Sequence, residues 1–294
     1  MRHAADAKDA YTVTPLRRPA LLASTLLAAA ALTAPAAVAA PSWAPADQAT
    51  VHPGVQTNTA GAGQCTANFV FTSGTEVYIG HAAHCAGTGG STATNGCDTG
   101  SLPLGTEVEI QGADHPGELV YSSWISMQQV GETDPNACQY NDFALVRIDP
   151  RDHDKVNPSI PVFGGPEGVD TDGAALGESV YTYGNSSLRL GLTELSPHVG
   201  TSLGTSGEGW TTAIYTVTPG LPGDSGSAVL SQDGEALGVL VTLAIAPVAG
   251  SNGVTSIDRA LDYANAHGNL GTLTLEDGTE EFTGNLTSLV GGLL

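Results

Sequence analysis

The chain has 294 residues, of which 30 are acidic and only 9 are basic, so its formal net charge is −21. A charge of this sign repels nucleic acids and anionic membrane surfaces, and we therefore exclude both as partners. The chain also contains 38 glycines, which favours a protein built from many tight turns.

The first predicted segment is a secretory signal peptide over residues 1–39. Arg17 and Arg18 give it a positive start, residues 21–32 are an apolar run, and residues 37–39 (Ala-Val-Ala) match the small-residue cleavage pattern. The apolar run is shorter than the roughly 20 residues that a membrane-spanning helix needs. A twin-arginine export signal is an alternative interpretation of the arginine pair. Either signal predicts a secreted, extracellular protein without a membrane anchor.

The chain changes character between residue 40 and Cys65. Residues 40–62 are rich in Pro, Ala, Gly, Thr and Gln and lack apolar periodicity, so we predict a pro-segment or an N-terminal arm. From Cys65 onward, short runs rich in Val, Ile, Thr and Tyr alternate with Gly, Asn, Asp and Pro clusters, as is typical of strands. The predicted strands are 67–72, 76–80, 107–111, 118–123, 143–149, 179–183 and 211–218.

A hairpin and a helix are predicted in the last third of the chain. Residues 228–232 and 236–243 flank an Asp-Gly pair that suits a type I′ turn. The pattern over 256–266 is helical, with Ser256 as a possible N-cap and Gly268 just beyond its end. Many short strands with one late helix indicate an antiparallel barrel or sandwich.

All four cysteines lie between residues 65 and 138. An even number of cysteines in an exported chain indicates two disulfide bonds, for which the sequence alone allows three pairings. A zinc site is the alternative, but the chain contains no C-x-x-C pair. We therefore predict disulfides, with their connectivity left open by these observations.

Ser225 stands in the glycine-flanked segment Gly223-Asp224-Ser225-Gly226, directly before the predicted hairpin. Flanking glycines let the backbone turn sharply and leave room for a substrate carbonyl beside converging backbone amides. The alternative is an ordinary polar loop, because Gly, Asp and Ser are common turn residues. The segment makes Ser225 a candidate nucleophile.

A weak serine nucleophile needs a general base, and histidine has the side-chain pKa nearest neutrality. His81 and His84 both precede Cys85, and His84 is the stronger candidate. As an H-x-x-H pair they suggest a metal site, but the segment follows an apolar strand rather than lying on a helix.

Asp142 begins another apolar run, and a base histidine requires such a carboxylate to fix its tautomer.

These motifs together resemble the chymotrypsin-like (trypsin-like) serine peptidase family, in its secreted bacterial, actinomycete form. His84 followed by Cys85, Asp142 before an apolar strand, and Gly-Asp-Ser-Gly around Ser225 occur in the order that the family shows. The resemblance covers about residues 60–266. It implies an all-β fold, with two six-stranded antiparallel Greek-key barrels packed together and a C-terminal helix.

The resemblance also divides the chain into domains and implies how the cysteines pair. The N-terminal barrel corresponds to residues 63–155, and the C-terminal barrel with its helix to residues 156–268. Residues 269–294 then form a C-terminal tail, which is a flexible end, a removable extension or an extra strand. The family's disulfide beside the histidine implies the pairs Cys65–Cys85 and Cys97–Cys138.

The resemblance implies a role for each site residue. His84 is the general base and then the general acid, Asp142 orients it, and Ser225 is the nucleophile that forms an acyl-enzyme. The N–H groups of Gly223 and Ser225 form the oxyanion hole. The hydroxyl of Thr242 supports the triad aspartate, with an ordinary strand threonine as the alternative.

The resemblance also implies a primary specificity pocket, to which we assign Pro219, Leu243 and Ala244. Pro219 stands where a carboxylate would be needed to neutralise a buried lysine or arginine. We therefore expect a small or medium apolar residue before the scissile bond.

The predicted function is that of a secreted, monomeric serine endopeptidase that acts on protein or peptide substrates and needs no cofactor or metal. An inactive protease fold that serves as an extracellular binding protein is one alternative. An esterase that uses the same triad is another. The partner of Asp224 is left open, because the sequence shows no Ile-Val-Gly-Gly-like terminus to pair with it.

Overall fold

The computed structural model describes residues 41–90, 93–244 and 248–284. The predicted signal peptide therefore lies outside the described residues. Within them the strands are β1 Gln56–Thr59, β2 Gln64–Thr66, β3 Val70–Ser73, β4 Glu76–His81, β5 Glu107–Ile110, β6 Gly117–Ser122, β7 Ala144–Arg147, β8 Ser179–Tyr183, β9 Pro197–Ser206, β10 Thr211–Thr216, β11 Ala228–Leu230, β12 Ala236–Leu243, β13 Asn252–Ser256 and β14 Thr274–Leu275. The α-helices are α1 Ser123–Val130, α2 Pro135–Tyr140 and α3 Ile257–His267. Short 3₁₀ turns occupy Ala83–Ala86, Pro150–Lys155, Ser187–Arg189, Thr193–Leu195 and Gly207–Gly209.

The strands form two antiparallel units. The first is an eight-stranded sheet in the order β14-β3-β4-β7-β6-β5-β1-β2, and the second is a closed six-stranded barrel in the order β10-β13-β12-β11-β8-β9. The expected all-β class with few helices is confirmed. The first unit contains eight strands where the resemblance implied six. None of the helices in the described part of the chain has the length and apolar character needed to cross a membrane.

Both segments that the sequence analysis placed outside the barrels contribute strands to the eight-stranded sheet. β1 comes from the predicted arm, and its Thr57 pairs with Cys65 on one side and Ile110 on the other. β14 comes from the predicted tail, and its Leu275 pairs with Phe71 of β3. The described residues of both segments are therefore part of the folded domain.

The tail packs onto the sheet because its residues alternate in polarity. Leu273 and Leu275 are only 3% and 7% exposed, while the threonine between them faces solvent. This two-residue period places both leucines on one face of the strand. Farther along, Phe282 packs edge-on against Tyr181 with ring centroids 5.1 Å apart. The tail thus extends the hydrophobic core across both units.

We expect Leu275→Ala to lower the free energy of unfolding by about 2–5 kcal/mol, the usual cost of deleting a buried leucine. Denaturant unfolding monitored by fluorescence measures this change. The matched control is Leu190→Ala, which truncates a leucine that is 87% exposed and should change stability by less than about 0.5 kcal/mol. Equal stabilities of the two variants would show that β14 is not docked in solution.

Two helices were not predicted from the sequence. α2 carries a recognisable start, because Asp134 accepts a hydrogen bond from the Asn136 amide at 2.8 Å and Pro135 occupies the first helical position. α1 has no side-chain N-cap. Instead it buries Trp124 and Met127 in the core, so tertiary packing determines it. The predicted helix α3 begins after its N-cap Ser256 as expected.

The structure contains both disulfide bonds that the resemblance implied. Cys65–Cys85 joins β2 to the 3₁₀ turn that follows β4. Cys97–Cys138 joins the loop after that turn to α2. Each bond closes a loop of tens of residues and contributes about 2–4 kcal/mol by restricting the unfolded chain. The zinc alternative is wrong for these cysteines, because none is left as a free thiol.

Candidate active site

His84 and Asp142 are brought together at one end of the adjacent interior strands β4 and β7 of the eight-stranded sheet. His84 lies in the 3₁₀ turn after β4, and Asp142 lies in the segment between α2 and β7. The Nδ1 atom of His84 is 2.6 Å from Oδ2 of Asp142, and the His84 amide donates to Oδ1 at 2.8 Å. One carboxylate therefore holds both the ring and the backbone of His84.

The environment of His84 sets its protonation. Burial alone lowers the pKa of the imidazole, but the charge and hydrogen bond of Asp142 outweigh it, so the net pKa is raised. The side chain of Asp142 is only 7% exposed, whereas that of His84 is 27% exposed. Because Nδ1 is engaged by the carboxylate, Nε2 is the ring nitrogen left to exchange a proton with another group.

Ser225 reaches the same cleft from the six-stranded barrel. It lies in the turn between β10 and β11, and its carbonyl accepts a hydrogen bond from the Thr66 amide at 2.8 Å. The next residue, Gly226, has φ +93°, and a Cβ there would lie 2.3 Å from the Thr66 carbonyl oxygen. Only glycine permits this approach between the units. The Ser225 hydroxyl forms no hydrogen bond within the described residues, and such contacts commonly tighten only when substrate binds.

The amides of Gly223 and Ser225 are oriented by hydrogen bonds to the opposite ends of their peptide units. The Pro222 carbonyl accepts from Ser186 Oγ at 2.5 Å, and the Asp224 carbonyl accepts from Ser227 Oγ at 2.6 Å. In a trans peptide the N–H points away from the C=O. Neither amide has an acceptor among the described residues. Both residues line the cleft, so the turn presents two free donors.

Asp224 has the internal partner that the sequence analysis left open. Its Oδ2 pairs with the guanidinium of Arg189, and the side chains are 1% and 7% exposed. Oδ1 also accepts from the Ser186 amide at 2.9 Å, and Oδ2 from the Leu221 amide at 2.8 Å. Because only five basic residues follow the predicted signal peptide, a search for a buried cation would have had few candidates.

A buried histidine, His198, lies next to the ion pair of Arg189 and Asp224. Burial lowers its pKa to about 4, and the neighbouring Arg189 cation acts in the same direction. Its Nδ1 lies 2.5 Å from Oγ1 of Thr218. His198 is therefore neutral at physiological pH and links the ion pair to the segment that precedes the Ser225 turn.

His81, the weaker candidate base, has a structural position. It is fully buried, and its Nδ1 lies 3.3 Å from Oγ1 of Thr57 in β1. Burial and the nearby His84 lower its pKa to about 4. His81 does not line the cleft. Among the described histidines, His84 is the one that forms a hydrogen bond with the Asp142 carboxylate.

The structure corrects the role expected of Thr242. Its Oγ1 accepts a hydrogen bond from the Gly253 amide at 3.1 Å and forms none with Asp142. The reason is strand geometry, since Thr242 lies on β12 directly opposite Gly253 of β13 and its hydroxyl is used within that ladder. Thr242 lines the cleft without supporting the aspartate.

The expected pocket residues are only partly placed around the cleft. Leu243 lines it, whereas Pro219 and Ala244 do not. Pro219 instead lies beside Gly250. Gly220 and Asn252, which were not predicted, line the cleft close to Leu243. Asn252 gave no signal in the sequence, because only the pairing of β12 with β13 brings it to this wall.

His84, Asp142 and Ser225 line one cleft of about 680 Å³. The one cluster of potential metal ligands in the described part of the chain is Cys65, His84 and Cys85. Its two cysteines are bonded to each other, so they offer no thiolate to an ion. The cleft therefore presents a histidine–carboxylate pair, a serine hydroxyl and two free amides.

A β-barrel fold with this cleft defines the class as serine-type peptidases. Residues 65–239 match the family model described as the trypsin-like peptidase domain, and the chain belongs to this family. It is a serine endopeptidase that acts on peptide bonds. No curated protein sequence matches the chain.

Solved structures that resemble the chain include bacterial proteases. Protease A of Thermobifida fusca is 20% identical, with 78% of this chain and 100% of that chain covered and a TM-score of 0.48. Nocardiopsis protease is 19% identical, with 77% and 98% covered and a TM-score of 0.47. Cellulomonas bogoriensis chymotrypsin is 19% identical, with 77% and 98% covered and a TM-score of 0.45.

Proposed function

We propose that the chain is a secreted endopeptidase that cleaves peptide bonds through an acyl-enzyme on Ser225. His84 is the general base and then the general acid, and Asp142 orients it. The amides of Gly223 and Ser225 stabilise the oxyanion. The observation that carries the proposal is the 2.6 Å contact between His84 Nδ1 and Asp142 Oδ2 in a cleft that Ser225 also lines.

The first half of the reaction transfers the acyl group to the enzyme. His84 Nε2 takes the proton from the Ser225 hydroxyl while Oγ forms a bond to the carbonyl carbon of the substrate. Asp142 stabilises the resulting imidazolium without itself being protonated. The C–N bond then breaks as His84 returns the proton to the leaving amine.

The negative charge that develops on the carbonyl oxygen is met by the two free amides. They require no reorganisation, because the hydroxyls of Ser186 and Ser227 already fix the carbonyl ends of the same peptides. In the second half, a water molecule gives its proton to His84 and attacks the acyl carbon. The proton then returns to Ser225, and the carboxylic acid product leaves.

The internal pairing of Asp224 supports a site that assembles on folding. A buried carboxylate beside the nucleophile needs a cation, and Arg189 supplies it from within the chain. We therefore propose that no newly cut terminus is required to form the oxyanion hole.

Secretion is supported by the predicted signal peptide and by the two disulfide bonds. Disulfides persist in oxidising compartments and are rare in the cytosol. The net charge of −21 also suits a soluble extracellular protein. We propose that the folded domain acts outside the cell on protein or peptide substrates.

A fluorophosphonate probe tests the assembled site, because it reacts with a serine only where a base and an oxyanion hole are in place. We expect peptide mapping of the purified secreted protein to place the label on Ser225. Ser225→Ala should abolish labelling, and Asp142→Asn should slow it by about 10⁴-fold, because the wrong histidine tautomer then faces the serine.

Ser187→Ala is the matched control, because it removes an exposed hydroxyl from another loop and should label like the unmodified protein. A folded protein that does not label would contradict the proposal and favour an inactive binding protein. A protein that labels, yet hydrolyses only esters in matched peptide and ester pairs, would favour the esterase alternative.

A further inference from the structure

Asn252, the first residue of β13, is a buried polar side chain in the cleft that the proposed mechanism does not use. It is 1% exposed and lines the same cleft as Ser225. Its Oδ1 accepts a hydrogen bond from the Gly220 amide at 3.0 Å, and its Nδ2 donates to the Thr242 carbonyl at 2.9 Å. The carboxamide thus spans two separate backbone segments.

Both of these segments line the cleft. Gly220 belongs to the segment that leads into the Ser225 turn, and Thr242 belongs to β12. Gly220, Thr242 and Ser225 all line this one cleft. A side chain that is hydrogen-bonded to both segments occupies the space between them, so a substrate side chain that entered there would meet the carboxamide.

The carboxamide of Asn252 is closely packed on the side that faces Gly220. A Cβ added to Gly220 would lie 3.0 Å from Asn252 Nδ2 and 3.2 Å from Leu240 Cδ2, so even one carbon atom would be crowded there. The Thr242 hydroxyl accepts from the Gly253 amide at 3.1 Å, which holds β12 and β13 together at this level. Asn252 is therefore held in position by contacts from both segments and from the β12–β13 ladder.

The charge of the cleft limits the substrate further. Among the described residues that line it, His84 and Asp142 are the ionisable ones, and both belong to the proposed triad. A lysine, arginine or acidic side chain bound beside Asn252 would be desolvated without a counter-ion, which is unfavourable.

We propose that Asn252 closes the primary specificity pocket and restricts the residue before the scissile bond to a short uncharged side chain: glycine, alanine or serine. This inference rests on the proposed function. It sharpens the expectation of a small or medium apolar residue, since it excludes long side chains and assigns the restriction to one carboxamide.

The first test uses the unmodified secreted protein and peptide p-nitroanilides that differ only in the residue before the scissile bond. We expect kcat/KM for alanine to exceed that for phenylalanine, lysine and glutamate by at least about 10-fold, the usual scale of steric discrimination in a pocket. A kcat/KM for phenylalanine, lysine or glutamate that exceeds the value for alanine would overturn the inference.

The second test removes the Asn252 carboxamide. Asn252→Ala should raise the ratio of kcat/KM for phenylalanine to that for alanine by about 10- to 100-fold. Asn252→Ser shortens the side chain but leaves a polar hydroxyl at this position. It should shift the ratio in the same direction, and it replaces the alanine variant in this test if that variant does not fold. The matched control is Asn185→Ala, which removes a carboxamide that bonds to the Gly54 carbonyl at 3.0 Å outside the cleft and should leave the ratio unchanged.

The outcomes separate the two proposals. A folded protein that neither labels with a fluorophosphonate nor cleaves any peptide overturns the proposed function, and this inference with it. A protein that labels on Ser225 but keeps the same preference in Asn252→Ala and Asn252→Ser overturns the role of Asn252 alone.

Discussion

Replacing Ser225 with alanine should lower kcat for peptide hydrolysis by about 10⁶-fold, the scale at which loss of a triad nucleophile eliminates covalent catalysis. The folded structure should persist, because the Ser225 hydroxyl forms no hydrogen bond within the described residues. Its carbonyl, which the substitution retains, accepts from the Thr66 amide. Active-site kinetics and denaturant unfolding of the same preparation measure the two quantities.

A double variant makes this prediction sharper. Ser225 and His84 act in one proton transfer, so His84→Ala alone should cost about as much as Ser225→Ala, and the double variant no more than either. Additive losses would show that the two residues do not act as a unit. Equal stability of Ser225→Ala and the unmodified protein, with kcat retained, would contradict the assignment of the nucleophile.

Replacing Arg189 with methionine should strongly lower the free energy of unfolding. It removes the cation from a carboxylate that is only 1% exposed, and an uncompensated buried charge costs about 3–5 kcal/mol. Asp224 keeps the hydrogen bonds that the backbone amides of Ser186 and Leu221 donate to it. Because Asp224 immediately precedes Ser225, however, a change in its position also moves the nucleophile turn. We therefore expect kcat/KM to fall by about 10²- to 10³-fold as the oxyanion amides shift.

Two further variants test whether loss of the Arg189–Asp224 ion pair causes these losses of stability and kcat/KM. Arg189→Met combined with Asp224→Asn removes both charges and should recover much of the lost stability. Arg259→Met is the matched control, since it removes an exposed arginine that donates to the Glu208 carbonyl at 3.1 Å, and it should change stability by less than about 0.5 kcal/mol. If Arg189→Met behaves like Arg259→Met, the ion pair does not maintain the site.

The sequence by itself was sufficient for features that are encoded locally. The strand β8 and the helix α3 follow from short-range polarity patterns, and Asp-Gly marks the position of the turn between β11 and β12. The expected type I′ turn is wrong, because Gly234 has a positive φ but Asp233 does not. The candidate triad residues could be selected because each lies in a short motif: a histidine before a cysteine, an aspartate before an apolar strand, and a serine between glycines. The order of these motifs identified the family before any contact was known.

Tertiary structure decided the features that depend on partners distant in the chain. Whether residues 269–284 are a loose tail or part of the core depended on the docking of Leu275 beside Phe71, which no local pattern specifies. The alignment of β12 with β13 turned the Thr242 hydroxyl toward Gly253 and brought Asn252 into the cleft. The buried cation for Asp224 came from Arg189, 35 residues away. In each case residues distant in sequence had to be brought together before their hydrogen bonds and charges could be matched, and only the folded chain does this.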